Sequence, residues 1–253
     1  MSVTAKRLTT LLRGGGFSPA SISNLVAWWD MITPSLLFQA SDGTGAVTSA
    51  SDPVGYVTDK SGGGRHFTQG TALNKFAYQS GGGILCDGSN DSMLATVSPS
   101  VTFTAQTIFL VLKDSGTAIS NERGFSQSAS TTADYNLAGH YVPLARSGLT
   151  GNWGAYASNG FRATVAVTAA TKSLLVATHS GSAIVNRVNG SAGSSYSHSL
   201  NLTIDKFGIG RPVNDTAPSS AITIYEILVY SKLVTGTELT AIESYLMTRH
   251  GIS

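Results

Sequence analysis

The feature that most limits the possible folds is a series of short β-branched and apolar segments separated by turn residues. Examples run from Thr107 to Leu112, from Leu174 to Thr178 and from Ile222 to Tyr230. Clusters of Gly, Ser, Asp and Asn lie between such segments, and none of the gaps has the apolar spacing of an amphipathic helix. A parallel α/β fold needs crossover helices between its strands. The pattern therefore predicts an all-β fold, a two-sheet antiparallel sandwich.

Only the C-terminal segment has a helical pattern. Leu239, Ile242 and Leu246 fall at helical spacing and form one apolar stripe. The stretch from Thr235 to Glu238 fits a capping box, and Gly251 is a typical residue after a helix end. We expect a C-terminal helix that packs its stripe on the edge of the sandwich.

Three glycines at positions 14–16 separate a short N-terminal segment from the rest of the chain. Because glycine has the greatest backbone freedom, this run predicts a hinge. The chain then divides into an N-terminal arm, residues 1–16, and one sandwich domain, residues 17–253. The arm is either a disordered tail or a segment that docks on a neighbouring subunit. Its docking side chains would be Lys6, Arg7, Leu8, Leu11, Leu12 and Arg13.

Charge and hydropathy exclude several classes of partner. Charged residues make up 12% of the chain and the net charge is +2, without the clustered Lys and Arg of a nucleic-acid-binding surface. No stretch approaches the ~18 apolar residues of a membrane span, and the first residues lack the apolar core of a signal peptide. We expect a chain made in a host cytoplasm. Its low charge fits either a surface covered by neighbouring subunits, as in a homo-oligomer, or a composition that is typical of related chains.

A loop with one large aromatic residue is the candidate for sugar binding. Trp153 and Tyr156 stand close together among Gly and Asn residues, and Asn152 adds an amide. Aromatic faces and polar loop groups often combine in carbohydrate sites, so these three residues are the predicted glycan-binding set. The alternative is that Trp153 covers one end of the core.

A second loop offers oxygen ligands. Asp87, Asn90 and Asp91 can supply three side chains to Ca²⁺, which prefers carboxylate and carbonyl oxygens. The alternative is a turn in which Asp87 accepts backbone N–H groups. Apart from this Ca²⁺, no cofactor is expected. Cys86 is the only cysteine, so an internal disulfide is excluded.

Carboxylates are too sparse along the strands to suggest hydrolysis. A glycosidase usually places two carboxylates across the scissile bond. Of the four Glu residues, Glu238 and Glu243 belong to the predicted helix, and Glu226 has no acidic residue two or four positions away. We therefore expect a chain that is not an enzyme and has no catalytic residues.

Six segments together resemble laminin G-like, concanavalin A-like domains, as found in bacteriophage structural proteins and bacterial surface proteins. The similarity runs from about Ser18 to Ile252. The segments are Ile22–Asp30, Asp59–Gly62, Cys86–Asp91, Phe207–Arg211, Ile224–Tyr230 and the closing helix that ends at His250-Gly251-Ile252. The resemblance implies a jelly-roll-like sandwich that binds glycans, host-surface polymers or other subunits.

The lack of a signal peptide favours the phage over the surface protein. The resemblance thus implies a structural, decoration or tail-fibre subunit of a virion. Its expected partners are other virion subunits and host-surface glycans, with no nucleic acid and no membrane insertion. A lectin-like adhesin module is the alternative, and a glycan hydrolase is a third.

Overall fold

The fold is seen in a computed structural model that describes residues 16–117, 122–129, 141–147, 151–157, 160–213 and 219–253. The predicted arm lies outside these residues except for Gly16. Short 3-10 turns cover Pro19–Ser21, Pro34–Leu36 and Ala72–Asn74. The strands and the helix are β1 (Leu25–Asp30), β2 (Leu37–Phe38), β3 (Pro53–Val54), β4 (Tyr56–Val57), β5 (Phe67–Thr68), β6 (Phe76–Tyr78), β7 (Ile84–Asp87), β8 (Met93–Phe103), β9 (Gln106–Asp114), β10 (Arg123–Ser128), β11 (Val142–Ser147), β12 (Asn152–Ala157), β13 (Gly160–Ala166), β14 (Lys172–His179), β15 (Ala183–Val188), β16 (Ser191–Ser197), β17 (Leu202–Gly210), β18 (Ala221–Tyr230) and α1 (Gly236–His250).

The strands form two nine-stranded antiparallel sheets. Sheet A has the order β16-β15-β14-β9-β18-β7-β6-β3, and β1 also pairs with β18. Sheet B has the order β13-β12-β11-β10-β17-β8-β5-β4-β2. This arrangement confirms the prediction of a two-sheet antiparallel sandwich with a C-terminal helix.

The core lies between the two sheets and follows the two-residue period of a strand. In β8, Met93, Ala95 and Val97 are buried in the core, whereas Thr96 is exposed on the outer face of sheet B. Trp29 of β1 is fully buried in this core, and its ring centroid lies 4.3 Å from that of Phe67. Burial of such large aromatic side chains supplies much of the hydrophobic stabilisation.

Helix α1 packs on the outer face of sheet A, rather than on an edge of the sandwich as predicted. Ile242 and Leu246 are buried against outward residues such as Phe109 and Leu228. The predicted helix end is confirmed, because Gly251 directly follows the helix and has a left-handed backbone with φ 65°. The predicted capping box is wrong.

The start of the helix differs from the prediction because the two side chains of the expected capping box, Thr235 and Glu238, do not cap it. Thr235 is the N-cap residue, but its side chain makes no capping hydrogen bond. Glu238 instead forms an ion pair with Lys232 at 2.8 Å. The carboxylate therefore joins the helix to the segment after β18 and does not reach back to the N-cap.

A buried polar network fixes the end of α1 to sheet A. Glu226 accepts a hydrogen bond from Trp28 Nε1 at 2.8 Å, and His250 Nε2 lies 2.7 Å from its other oxygen. Arg249 Nη2 lies 2.6 Å from Asp30 Oδ2. Since a buried charge is tolerated only when it is paired, these contacts explain how Glu226 and Asp30 can be fully buried. No helix among the described residues is long and apolar enough to cross a membrane.

Candidate functional site

An open groove of about 440 Å³ lies on the outer face of sheet B, where β5, β8 and β17 run side by side. The two-residue strand period places Leu94 and Thr96 of β8 on this face, because their neighbours in that strand point into the core. Polar and apolar atoms contribute equally to its surface, and its polar side chains, apart from Lys206, carry hydroxyl or amide groups. The described lining residues are Thr68, Gln69, Gly70, Thr71, Asn74, Ser92, Leu94, Thr96, Lys206, Pro212 and Val213.

Strand register fixes the floor of the groove. Thr68 of β5 lies opposite Leu94 of β8, which lies opposite Gly208 of β17. A side chain at Gly208 would come within 2.6 Å of Ser126 Oγ and 3.3 Å of Val213. The small residue thus lets the half-buried Leu94 lie close to the buried Val213, and Leu94 provides the apolar surface beside the hydroxyl groups.

One wall of the groove is a loop held by its own hydrogen bonds. Gln69 Nε2 donates to the Ser92 carbonyl at 2.6 Å, and the Thr71 backbone N–H donates to Gln69 Oε1 at 2.9 Å. The Ser92 backbone N–H donates to the carbonyl of Asn74 at 3.1 Å. The wall is therefore pre-formed, and the rim next to Asn74 carries Leu73, which is 78% exposed.

The predicted glycan-binding residues lie elsewhere and do not form an open site. Trp153 is fully buried in the core, and its Nε1 donates to Asp114 Oδ2 at 2.9 Å. Its position in β12 directs the ring between the sheets, so its predicted role as an exposed stacking surface is wrong. Tyr156 is half-buried and packs edge-on against Phe161 at 4.9 Å, and Asn152 is half-buried at the start of β12.

The predicted Ca²⁺ loop uses its side chains to fold the loop. Asp87 Oδ1 accepts the Ser89 backbone N–H at 2.7 Å, and Asp91 Oδ2 accepts the Asp87 backbone N–H at 2.9 Å. This is the turn alternative that the sequence left open, and Asn90 is half-buried beside it. Burial raises the pKa of Asp91 to about 6. Within the described ranges, no three or more His, Cys, Asp or Glu side chains are grouped to hold a metal ion, and we propose none.

Two buried carboxylates lie beside the same arginine inside the fold, although the spacing of acidic residues along single strands does not reveal this. Arg146 Nη1 lies 3.2 Å from Glu122 Oε1 and 3.5 Å from Asp114 Oδ1. All three side chains are buried. Asp114 ends β9 in sheet A, whereas Glu122 directly precedes β10 in sheet B. The cluster ties the two sheets together at one end of the sandwich.

A second polar cluster lies between the sheets at the opposite end. Gln106 and Gln127 exchange hydrogen bonds of 2.8 and 2.9 Å, and the Tyr141 hydroxyl donates to Gln106 Oε1 at 2.8 Å. Next to them, His179 Nε2 and His198 Nδ1 are 2.9 Å apart. Burial and the nearby His198 lower the pKa of His179 to about 4.

At the level of sequence, neither a protein-family model nor a curated protein matches the chain. Solved structures do share its fold. A Trypanosoma rangeli sialidase in complex with 2,3-difluorosialic acid matches 97% of this chain and 39% of its own, with 12% identity and a TM-score of 0.62. An arabinofuranosidase complexed with arabinofuranosyl-alpha-1,2-xylobiose matches 92% and 65%, with 14% identity and a TM-score of 0.65.

A third neighbour is the ligand-binding domain of botulinum neurotoxin serotype D in complex with N-acetylneuraminic acid. It matches 91% of this chain and 53% of its own, with 10% identity and a TM-score of 0.61. The chain therefore spans 39% to 65% of the length of these three solved chains. At such low identity, the likeness shows the shared fold alone.

These neighbours contradict the expectation that the chain is not an enzyme, because two of them are glycosidases. The expectation depended on the spacing of carboxylates along single strands. Asp114 and Glu122 show the weakness of that criterion, since they come from different sheets and contact one guanidinium group. What the three neighbours have in common, besides the fold, is that each binds or acts on a glycan.

Proposed function

We propose that this chain is a glycan-interacting β-sandwich domain and that its ligand lies in the groove over β5, β8 and β17. The observation that carries the proposal is the chemistry of that groove. A sugar ring presents hydroxyl groups and patches of C–H. The groove offers its own hydroxyls and amides to the sugar hydroxyl groups, and the half-buried side chain of Leu94 to the C–H patches.

Two further observations support this function. The wall formed by Gln69, Thr71 and Asn74 is already hydrogen-bonded to its surroundings, so little conformational entropy would be lost on binding. The neighbours that share the fold carry a sialic acid derivative, an arabinofuranosyl oligosaccharide and N-acetylneuraminic acid. Each of these ligands is a sugar.

A glycan array probed with the purified chain tests the proposal. We expect binding to a subset of glycans, and a double variant Asn74→Ala, Thr96→Val to bind them about fivefold to a hundredfold more weakly, because each lost hydrogen bond contributes about 0.5–1.5 kcal/mol. The control is Thr203→Val on the same strand as Lys206. Thr203 is exposed and forms a hydroxyl pair with Thr102 at 2.8 Å, away from the groove.

Unchanged binding by the double variant would assign the ligand to another surface, and a chain that binds no glycan would refute the function. Hydrolysis is measured separately, by the appearance of new reducing ends when bound glycans are incubated with the chain. That measurement separates a domain that holds its glycan from one that also cleaves it.

The placement of this domain on a phage particle remains a prediction from the sequence resemblance. It is compatible with glycan binding, since a virion protein that contacts a host surface meets glycans there. The predicted contact of the arm with other virion subunits, and the predicted homo-oligomer, remain predictions as well.

A further inference from the structure

The part of the groove that the structure describes carries a single charged side chain. Of the described residues that line it, Lys206 alone is charged, and none of them has a carboxylate. The other polar groups are neutral hydroxyls and amides. Among these described lining residues, the charge therefore comes from one ammonium group beside Leu94, where a charge acts more strongly than in open water.

Among the described residues, the ammonium group of Lys206 is only loosely neutralised. Its carboxylate neighbour there is Asp205, whose Oδ2 lies 4.0 Å away and whose side chain is 42% exposed. By contrast, Lys60 lies 3.0 Å from the buried Asp30, and Lys232 lies 2.8 Å from Glu238. An ion pair this long and partly exposed contributes little free energy, so Lys206 can exchange Asp205 for a ligand anion at small cost.

The surroundings of Lys206 are suited to an anion on a sugar. Thr96 lies directly opposite it in the strand register, with an exposed hydroxyl that can donate to a second oxygen of the same group. Thr68 of the neighbouring strand lies further along the groove and adds another hydroxyl. A carboxylate or sulfate at Lys206 would thus leave the rest of the sugar over Leu94.

We infer that the groove selects glycans that carry an anionic group, a carboxylate or a sulfate ester, which pairs with Lys206. The inference rests on the proposed glycan-binding function and specifies its ligand class. A neutral sugar would fill the same space without the ion pair and would bind more weakly.

The test compares charged and uncharged forms of the same polymers. The probes are polygalacturonate with its carboxyl-reduced form, and dextran sulfate with dextran. Binding is measured for the wild-type chain, Lys206→Gln, Lys206→Arg and Lys172→Gln. The last variant removes the same charge from sheet A, where Lys172 lies 4.5 Å from the Tyr225 ring centroid.

We expect one or both charged polymers to bind more tightly than their neutral forms. Lys206→Gln should lower that affinity about twofold to fivefold, whereas Lys206→Arg should retain most of it. Neutral polymers should be unaffected by all three variants. A preference for polygalacturonate would identify a carboxylate as the anion, and a preference for dextran sulfate a sulfate ester.

Two results would overturn the inference while leaving the proposed function intact. One is equal binding of charged and neutral polymers with no effect of Lys206→Gln. The other is an equal loss in Lys172→Gln, which would show general attraction to a cationic chain. Binding of neither polymer class, together with an array that shows no glycan bound, would refute the inference and the proposed function together.

Discussion

Trp153 lies in the core at the end of the sandwich where β12 begins, and its indole N–H joins the two sheets. The acceptor is Asp114, on the opposite sheet, at 2.9 Å. The other Asp114 oxygen accepts the Gly116 backbone N–H at 2.7 Å and lies 3.5 Å from Arg146. A buried carboxylate with this many partners is stabilised only while all of them remain.

Trp153→Ala should therefore destabilise the fold, by about 3–5 kcal/mol for the loss of a buried aromatic side chain. Trp153→Phe keeps most of the apolar volume but removes the donor to Asp114, which should cost about 1–3 kcal/mol. Denaturant unfolding measures both values. If Trp153→Ala lowers glycan binding but leaves the free energy of unfolding unchanged, the indole contacts the ligand. That result would contradict its placement in the core.

The sequence could not show on which side of β12 this tryptophan lies. The Gly and Asn residues around it are equally typical of a loop and of a strand end. Its ring faces the core together with Ala155 and Ala157, and that face is set by how β12 pairs with β11 and β13. A change of register by one residue would turn all three side chains to the other face.

Elements with local signals were predictable, and their partners were not. The helix follows from the spacing of Leu239, Ile242 and Leu246, and the hairpin of β14 and β15 follows from two β-branched runs around a short turn. The groove has no such signal. It combines β5, β8 and β17, which are far apart in the chain, and only the sheet order brings them together.

The helix should contribute to the stability of the whole sandwich because it covers the outer face of sheet A. Leu246→Ala should lower the free energy of unfolding by about 2–5 kcal/mol, since the side chain is fully buried in that contact. Ser244→Ala changes an exposed position of the same helix and is the control, with an expected change within about 0.5 kcal/mol. Equal effects of the two substitutions would show that the helix does not pack as described.

At the scale of the whole molecule, two polar clusters lie at opposite ends of one apolar core. At one end, the fold disfavours protonation of His179, because the pKa of this imidazole is about 4, below the 6.5 of an ordinary histidine. The unfolded chain then binds more protons between these two values. The free energy of unfolding should fall as the pH is lowered from about 6.5 to about 4.

Asp91, at the other end, acts in the opposite direction. Its pKa of about 6 is above the 3.8 of an ordinary aspartate, so the folded state binds more protons in that range and gains stability as the pH falls through 6. His179→Asn should therefore reduce the loss of stability on acidification, and Asp91→Asn should increase it. Denaturant titrations at several pH values measure both. An unchanged pH profile in His179→Asn would contradict the contribution of this imidazole.

Both ends of the described fold lie on the same side of the molecule. Phe17 packs against Tyr245 of α1, with ring centroids 5.8 Å apart, and Ile252 lies against the same helix-covered face of sheet A. The groove is on the outer face of sheet B. An anchor attached at either terminus, whether an affinity tag, a sensor chip or a larger assembly, would hold the molecule on the side of sheet A. The groove on sheet B would then face the solvent and remain accessible to polymers.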